Sequence, residues 1–219
     1  MIEPLAVDHE VFHLRRSGGD HRRVVDRDHR QFVVEQVLQV GVDRLPLGLV
    51  DDGDVIAVDS STTAYYLAHE LLDRQNLLVI TNSLRVTALL AEHSTARVLV
   101  LGGVLRRSAG SLVGPVGDVL SSRGRIAKGF FGLVALSPLH GLMDISAEET
   151  QTKQALAKSC AQIYGLFHSA KVYGFGLHSF ALPSLVTGLY TDDDAPPEFA
   201  RQWVDLGVKV TLTPYDSPY

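Results

Sequence analysis

The stretch DVIAVDSSTT at residues 54–63 holds an apolar run that passes directly into hydroxyl-bearing residues. Its apolar part, residues 55–58, predicts a strand buried on both faces of a sheet. The apolar residues that follow recur at the spacing of one helix face: Ala64, Leu67, Ala68, Leu71 and Leu72. A buried strand, a polar turn and an amphipathic helix in this order are typical of a parallel α/β sheet.

The same succession recurs along most of the chain. Apolar runs predict further strands at 77–80, 98–101, 129–134, 163–167, 185–190 and 208–212, the last of them a closing edge strand. Helices are predicted at 84–90, 147–160 and 196–206. The first of these is expected to direct Leu84, Val86, Leu89 and Leu90 into the core, and a glycine-rich loop is expected before residue 129. The predicted fold class is α/β, a mostly parallel sheet with helices on both faces.

Residues 1–48 differ in composition from residues 49–219. They hold four of the nine histidines, many arginines and aspartates, and no lysine. We interpret them as a loosely ordered lead-in with one short helix at 32–38, and the remainder as a single domain. A metal site at His9 and His13 is the alternative for this segment, but a third ligand at a suitable spacing is lacking.

Composition limits the classes of protein to which the chain can belong. Of its 219 residues 46% are hydrophobic, enough for a full core, and the single cysteine, Cys160, is typical of a reducing compartment. We expect a cytoplasmic protein without a membrane span, a metal or a cofactor. With a formal net charge of -5, contact with DNA would need a dedicated module.

Small polar residues follow several of the predicted strands. In an open α/β sheet the carboxyl ends of the strands converge on the ligand crevice, so these residues predict a common anion site. The candidates are Asp59, Ser60, Ser61, Thr62, Thr63, Thr81, Asn82, Gly102, Gly103 and Asp192. Each also has a local alternative, because Ser, Thr and Asp cap helices and glycine supplies positive φ.

The ordered motifs DGDVIAVDSSTT, VITNS, VLVLGG, SLVGP, FFG and a strand ending in TD resemble the C-terminal sensor domain of the DeoR family of transcriptional regulators. The resemblance runs from about Asp51 to the C-terminus. It implies the fold of ribose-5-phosphate isomerase, glucosamine-6-phosphate deaminase and the coenzyme A transferases, and a phosphorylated sugar or sugar-derived effector of a regulator, either a repressor or an activator. It also implies that Lys171 lines the pocket together with Asp59, Ser60, Thr62, Thr63, Thr81, Asn82, Gly102 and Gly103.

The chain departs from the family pattern at three places. Ser61 stands where the family usually has glycine, His168 precedes the pocket lysine where the family usually has an aspartate, and no helix-turn-helix is recognisable in residues 1–50. Contact with DNA is therefore expected only through a helix-turn-helix that is not evident in this chain. A regulator that responds to a ligand is expected to be a homo-oligomer.

Several other charged residues keep two interpretations. Glu149 and Lys153 form an i, i+4 pair typical of an exposed helix, yet the resemblance also implies an acidic residue, Glu148 or Glu149, near the pocket. Arg106 and Arg107 are either a solvated face or donors to a phosphate.

An enzyme of this fold is the alternative to a sensor. Asp59 as base and Lys171 as electrophile would suit a sugar-phosphate aldose-ketose isomerase. A module that only oligomerises is a third possibility. The favoured hypothesis is a sensor without catalytic activity, since no acid-base group of the expected kind is recognisable.

Overall fold

The computed structural model describes residues 47–114 and 126–214. The predicted helix at 32–38, the pair His9 and His13, and nearly all of the predicted lead-in lie outside these ranges. The described strands are β1 (Val55–Val58), β2 (Leu78–Thr81), β3 (Arg97–Val100), β4 (Val104–Arg106), β5 (Ser111–Val113), β6 (Ile126–Gly132), β7 (Ala135–Ser137), β8 (Gly141–Asp144), β9 (Cys160–Leu166), β10 (His178–Ala181), β11 (Gly188–Asp192) and β12 (Lys209–Thr213). The helices are α1 (Thr62–Glu70), α2 (Leu84–His93), α3 (Ala147–Ser159) and α4 (Pro197–Asp205).

A seven-stranded sheet with the strand order β12-β11-β9-β6-β1-β2-β3 forms the centre of the fold. All six strand pairings in it are parallel. Val58 at the end of β1 pairs with Thr81 of β2 and with Phe130 of β6, so the carboxyl ends of neighbouring strands lie at one edge. The predicted α/β class and the closing edge position of β12 are confirmed.

Successive residues of the central strands face opposite sides of this sheet. Ile56 and Val58 belong to one apolar cluster, into which α1 and α2 contribute residues such as Leu67 and Leu90. Ala57 belongs to the other cluster, to which α3 and α4 contribute residues such as Leu156 and Trp203. Helices therefore cover both faces, as predicted.

Two small antiparallel sheets were not predicted. Strands β7, β8 and β10 form one of them, in the order β10-β8-β7, and β4 and β5 form a hairpin within the expected glycine-rich loop. Glycine permits the close approach of backbone in the hairpin, because a Cβ on Gly103 would lie 2.5 Å from the carbonyl oxygen of Val113. These sheets lie beyond the carboxyl ends of the central strands.

The prediction for one face of α2 was wrong at Leu84. Val86, Leu89 and Leu90 are buried, whereas Leu84 is 38% exposed. Residues two positions apart on a helix point to different sides, so Leu84 cannot share the buried face with Val86.

Within the two described ranges, none of the helices has the length and the apolar character that a bilayer span requires.

Candidate functional site

A cavity of about 580 Å³ lies beyond the carboxyl ends of β1, β6 and β9. The β4–β5 hairpin, the end of β8 and the start of α3 complete its walls. The residues that line it are Ser60, Ser61, Thr62, Thr63, Arg106, Ala109, Gly132, Leu133, Val134, Asp144, Ile145, Ser146, Glu149, Lys153, Phe167, His168 and Lys171. Of the eleven residues predicted for the site, the cavity therefore brings together Ser60, Ser61, Thr62, Thr63 and Lys171.

The turn between β1 and α1 presents free backbone donors to this cavity. Ser61 is the N-cap of α1, and its hydroxyl accepts a hydrogen bond of 3.1 Å from the amide of Ala64. The amides of Thr62 and Thr63 donate to no described residue, although both residues line the cavity. Unpaired N–H groups at a helix N-terminus, where the helix dipole is positive, are suited to an anion.

Asp59 stabilises this turn through hydrogen bonds to its side-chain oxygens. It is fully buried, and its Oδ1 accepts from both the amide and the hydroxyl of Ser61, at 3.0 and 2.6 Å. Its Oδ2 accepts from the amide of Gly132 at 3.0 Å and lies 3.1 Å from Nζ of Lys153. Both carboxylate oxygens are thus occupied, and Asp59 does not line the cavity. This arrangement removes Asp59 as the base of an isomerase.

Lys153 is a buried cation that joins four parts of the fold. Its Nζ lies 2.9 Å from Asp144 Oδ2, 2.9 Å from the carbonyl oxygen of Gly132 and 5.1 Å from the centre of the Phe180 ring, in addition to Asp59. Burial alone would lower the pKa of Lys153, but the two carboxylates outweigh it and raise that pKa. Lys153 therefore stays charged and stabilises the turn between β1 and α1. Its three N–H donors are already taken by Asp59, Asp144 and the carbonyl of Gly132.

The carboxyl of Asp144 shares in this ion network. Burial alone would raise its pKa, but the ammonium of Lys153 and the backbone amides of Ser146 and Ile145 hold that pKa below its ordinary value. Asp144 therefore stays ionised and ties β8 to α3.

Of the two interpretations of Glu149, the i, i+4 pair with Lys153 on an exposed helix was wrong, because these side chains pair with other residues. Both residues are buried, because α3 packs these polar positions against the cavity. Glu149 Oε1 instead accepts from Arg106 at 3.3 Å and from the hydroxyl of Ser111, and Oε2 lies 3.5 Å from the hydroxyl of Ser60. Arg106 and Glu149 thus line the cavity as a pair, whereas Arg107 and Glu148 do not line it.

Lys171 reaches the cavity from the segment after β9. Its ammonium makes no hydrogen bond or ion pair with any residue that the structure describes. His168 lies on the same side, with Nδ1 3.7 Å from Asp192 Oδ2. Asp192 itself is fully buried and accepts from the amide of Ser169 at 2.6 Å, so it fastens the turn before Lys171 and does not cap α4.

Four predicted ligand-binding residues lie outside the cavity lining: Thr81, Asn82, Gly102 and Gly103. The hydroxyl of Thr81 accepts from the amide of Ser83, and the side-chain amide of Asn82 donates to the carbonyl of Leu112. Ser83 caps α2, and Gly103 accommodates β5. Thr81, Asn82 and Gly103 thus have local structural tasks, and ligand contact by all four residues stays a prediction.

The lining includes residues that the sequence analysis did not assign to the site, among them Gly132, Asp144 and Lys153. Asp144 lies at the end of an unpredicted short strand, and nothing near it in the sequence marks it as polar and buried. A signal existed for Lys153: α3 carries few apolar residues for a helix packed between sheets, which indicates that some of its polar side chains are paired inside. Gly132 is required because a Cβ there would collide with the side chain of Ser61.

Comparisons with known proteins identify a family, several similar repressors and a solved structure with a partly similar fold. The family described as the DeoR C-terminal sensor domain matches residues 44–193. The chain is 27% identical over 163 residues to the glycerol-3-phosphate regulon repressor of Escherichia coli (strain K12), covering 74% of this chain and 65% of that protein. It is 30% identical over 169 residues to the lactose phosphotransferase system repressor of Staphylococcus epidermidis, covering 76% of this chain and 65% of that protein.

The chain thus spans less than two thirds of the length of these two relatives. Among solved structures, ribose 5-phosphate isomerase A of Neisseria gonorrhoeae superposes with a TM-score of 0.44 at 11% identity, covering 58% of this chain and 49% of that one.

Proposed function

The chain belongs to the DeoR C-terminal sensor domain family, and on that premise we propose that it is the effector-binding part of a transcriptional repressor that responds to a phosphorylated sugar. The family match to residues 44–193 confirms the resemblance predicted from the motifs. The observation that carries the proposal is that Thr62, Thr63 and Lys171 line one cavity, and that the two backbone amides and the ammonium have no partner among the residues that the structure describes.

A phosphate fits this arrangement for a simple physical reason. Two backbone N–H groups at a helix N-terminus and one lysine supply donors and positive charge without any rearrangement of the other ion pairs. The anion would lie between α1 and the segment after β9, with Ser60 beside it. Polar lining residues outside the Lys153 network, such as Ser146 and Glu149, are then available to the sugar hydroxyls.

The regulatory part of the proposal rests on the relatives. Both repressors described above are longer than the matched region. We infer that contact with DNA, through a helix-turn-helix, belongs to the whole regulator. We infer a cytoplasmic location for such a regulator from the single cysteine, which is typical of a reducing compartment. We infer a homo-oligomer because ligand binding by a sensor acts through states that differ in affinity.

Binding of phosphorylated sugars to wild-type protein and to Lys171→Ala tests the proposal by calorimetry. Charge-assisted hydrogen bonds contribute about 1.5–3 kcal/mol, so loss of Lys171 is expected to weaken binding about 10- to 140-fold. Lys209→Ala is the matched control, because Lys209 is exposed and begins β12 at the opposite end of the sheet. If no phosphorylated sugar or polyol binds the wild type, the proposal is wrong.

An aldose-ketose isomerase is the second candidate, and one observation favours it. Glu149 places a carboxylate in the cavity, where a base would be needed, although Arg106 and Ser111 already bind one of its oxygens. Incubation with ribose 5-phosphate and related aldose phosphates, followed by a ketose assay, would show turnover if this alternative holds. We expect none.

A further inference from the structure

The cations that line the cavity differ in how far their charge is already neutralised. Arg106 faces Glu149, and Lys153 faces Asp59 and Asp144. Only Lys171, among the described cations of the lining, has no carboxylate partner. Together with the α1 N-terminus, Lys171 therefore offers a place for one anionic group, and the structure leaves no second unpaired cation in the described lining for another.

Glu149 borders the cavity from α3 and the β4–β5 hairpin, whereas Lys171 borders it from the segment after β9. Oε1 of Glu149 is bound by Arg106 and Ser111. Oε2 has the hydroxyl of Ser60 at 3.5 Å, at the long limit of a hydrogen bond. The Glu149 side chain is only 4% exposed, so little water competes for this oxygen.

A carboxylate oxygen in this position discriminates between ligand groups. It accepts hydrogen bonds from hydroxyls, which supply the donor that it lacks. A carboxylate or phosphate brought to the same place has no proton to donate and is repelled at low dielectric. Such like-charge contact is a common means by which proteins reject a wrong partner.

We propose that Glu149 is a specificity-determining residue that binds hydroxyl groups of the effector and excludes effectors with a second anionic group. The effector class is then a sugar or polyol monophosphate, and not a bisphosphate or a phosphorylated sugar acid. This inference rests on the proposed function, since it concerns the same cavity.

Matched pairs of ligands that differ at one terminal carbon test the inference. Each pair has a primary alcohol in one member and a carboxylate in the other: glycerol 3-phosphate with 3-phosphoglycerate, ribitol 5-phosphate with 5-phosphoribonate, and glucitol 6-phosphate with 6-phosphogluconate. Calorimetric titration of the wild-type protein gives the affinity ratio within each pair. We expect the alcohol to bind at least about tenfold more tightly than the acid in every pair that binds.

The variant Glu149→Gln keeps the size of the side chain and one oxygen acceptor but removes the negative charge. It is expected to reduce the preference for the alcohol to within about threefold. Glu148→Gln is the matched control, because Glu148 is the exposed neighbour on α3 and does not line the cavity. The control should keep the wild-type ratio, and circular dichroism checks that both variants fold.

The outcomes separate the two proposals. Equal binding of alcohol and acid by the wild type overturns the role of Glu149 while leaving phosphate sensing intact, and this result does not depend on any variant. A preference that persists in folded Glu149→Gln overturns it as well. Failure of every ligand to bind the wild type refutes the proposed function itself, and the inference with it.

Discussion

Replacement of Lys153 by methionine tests whether the buried ion network holds the cavity together. Methionine keeps the apolar stem of the side chain but removes the ammonium that lies 3.1 Å from Asp59 and 2.9 Å from Asp144. Removing one partner of a buried ion pair costs about 3–5 kcal/mol, because a buried charge is left without compensation. Since domains are stable by about 5–15 kcal/mol, the variant should lose a large part of its stability.

The loss should depend on pH in a defined direction. In the wild type the pKa of Asp144 is below its unfolded value, so its contribution to stability is present above about pH 4 and is lost only as pH falls through the folded pKa. Without Lys153, only the amides of Ser146 and Ile145 still oppose burial, and since burial is the largest influence we expect the pKa of Asp144 to rise above the unfolded value. The variant then regains stability as pH falls through that raised pKa, so its deficit should shrink between about pH 7 and about pH 5.

Urea unfolding at several pH values measures both effects, given two-state transitions. Lys158→Met is the matched control, because Lys158 is exposed in the last turn of the same helix, and its change should stay within about 0.5 kcal/mol. The account of the network is refuted if Lys153→Met costs less than about 1 kcal/mol, or if its deficit is the same at both ends of the pH range.

Two further substitutions probe the turn that faces the ligand. Gly132→Ala places a Cβ against the side chain of Ser61 and is expected to cost about 1–3 kcal/mol and to weaken effector binding. Gly102→Ala meets open space and is the control for stability, which it should leave nearly unchanged. Ser61→Ala removes the side-chain cap of α1, so it should lower the free energy of unfolding by about 1 kcal/mol and also weaken effector binding. Ser83→Ala removes the cap of α2 and is the matched control. It should lower the free energy of unfolding by a similar amount in urea but leave calorimetric binding unchanged, because Ser83 does not line the cavity.

The central sheet could be predicted because its strands are apolar runs buried on both faces and each is followed by a polar turn. Residues 55–58 and the hydroxyl-bearing turn after them carry this information locally, and the cap at Ser61 follows from it. The β7-β8-β10 sheet could not be predicted in the same way. Its strands have three or four residues each, and β10 pairs with a strand that lies more than thirty residues earlier in the chain.

The burial of Glu149 and Lys153 could not be predicted either, because it depends on tertiary contacts. A glutamate and a lysine four residues apart look the same on an exposed helix and on one that packs against a cavity, so only the tertiary contacts of Glu149 and Lys153 reveal that both are buried and paired elsewhere. Asp59 is the opposite case, a residue predicted to contact the ligand that instead supports the turn. Its position after β1 suggested a ligand contact, but the structure uses both of its oxygens to hold the turn.

The most direct test of an anion site at the start of α1 is an NMR titration that follows the backbone amides of Thr62 and Thr63. A sugar phosphate that binds by calorimetry should shift these two amide signals downfield, because their protons would donate to the phosphate oxygens. Binding that leaves both signals in place while shifting others would contradict the account.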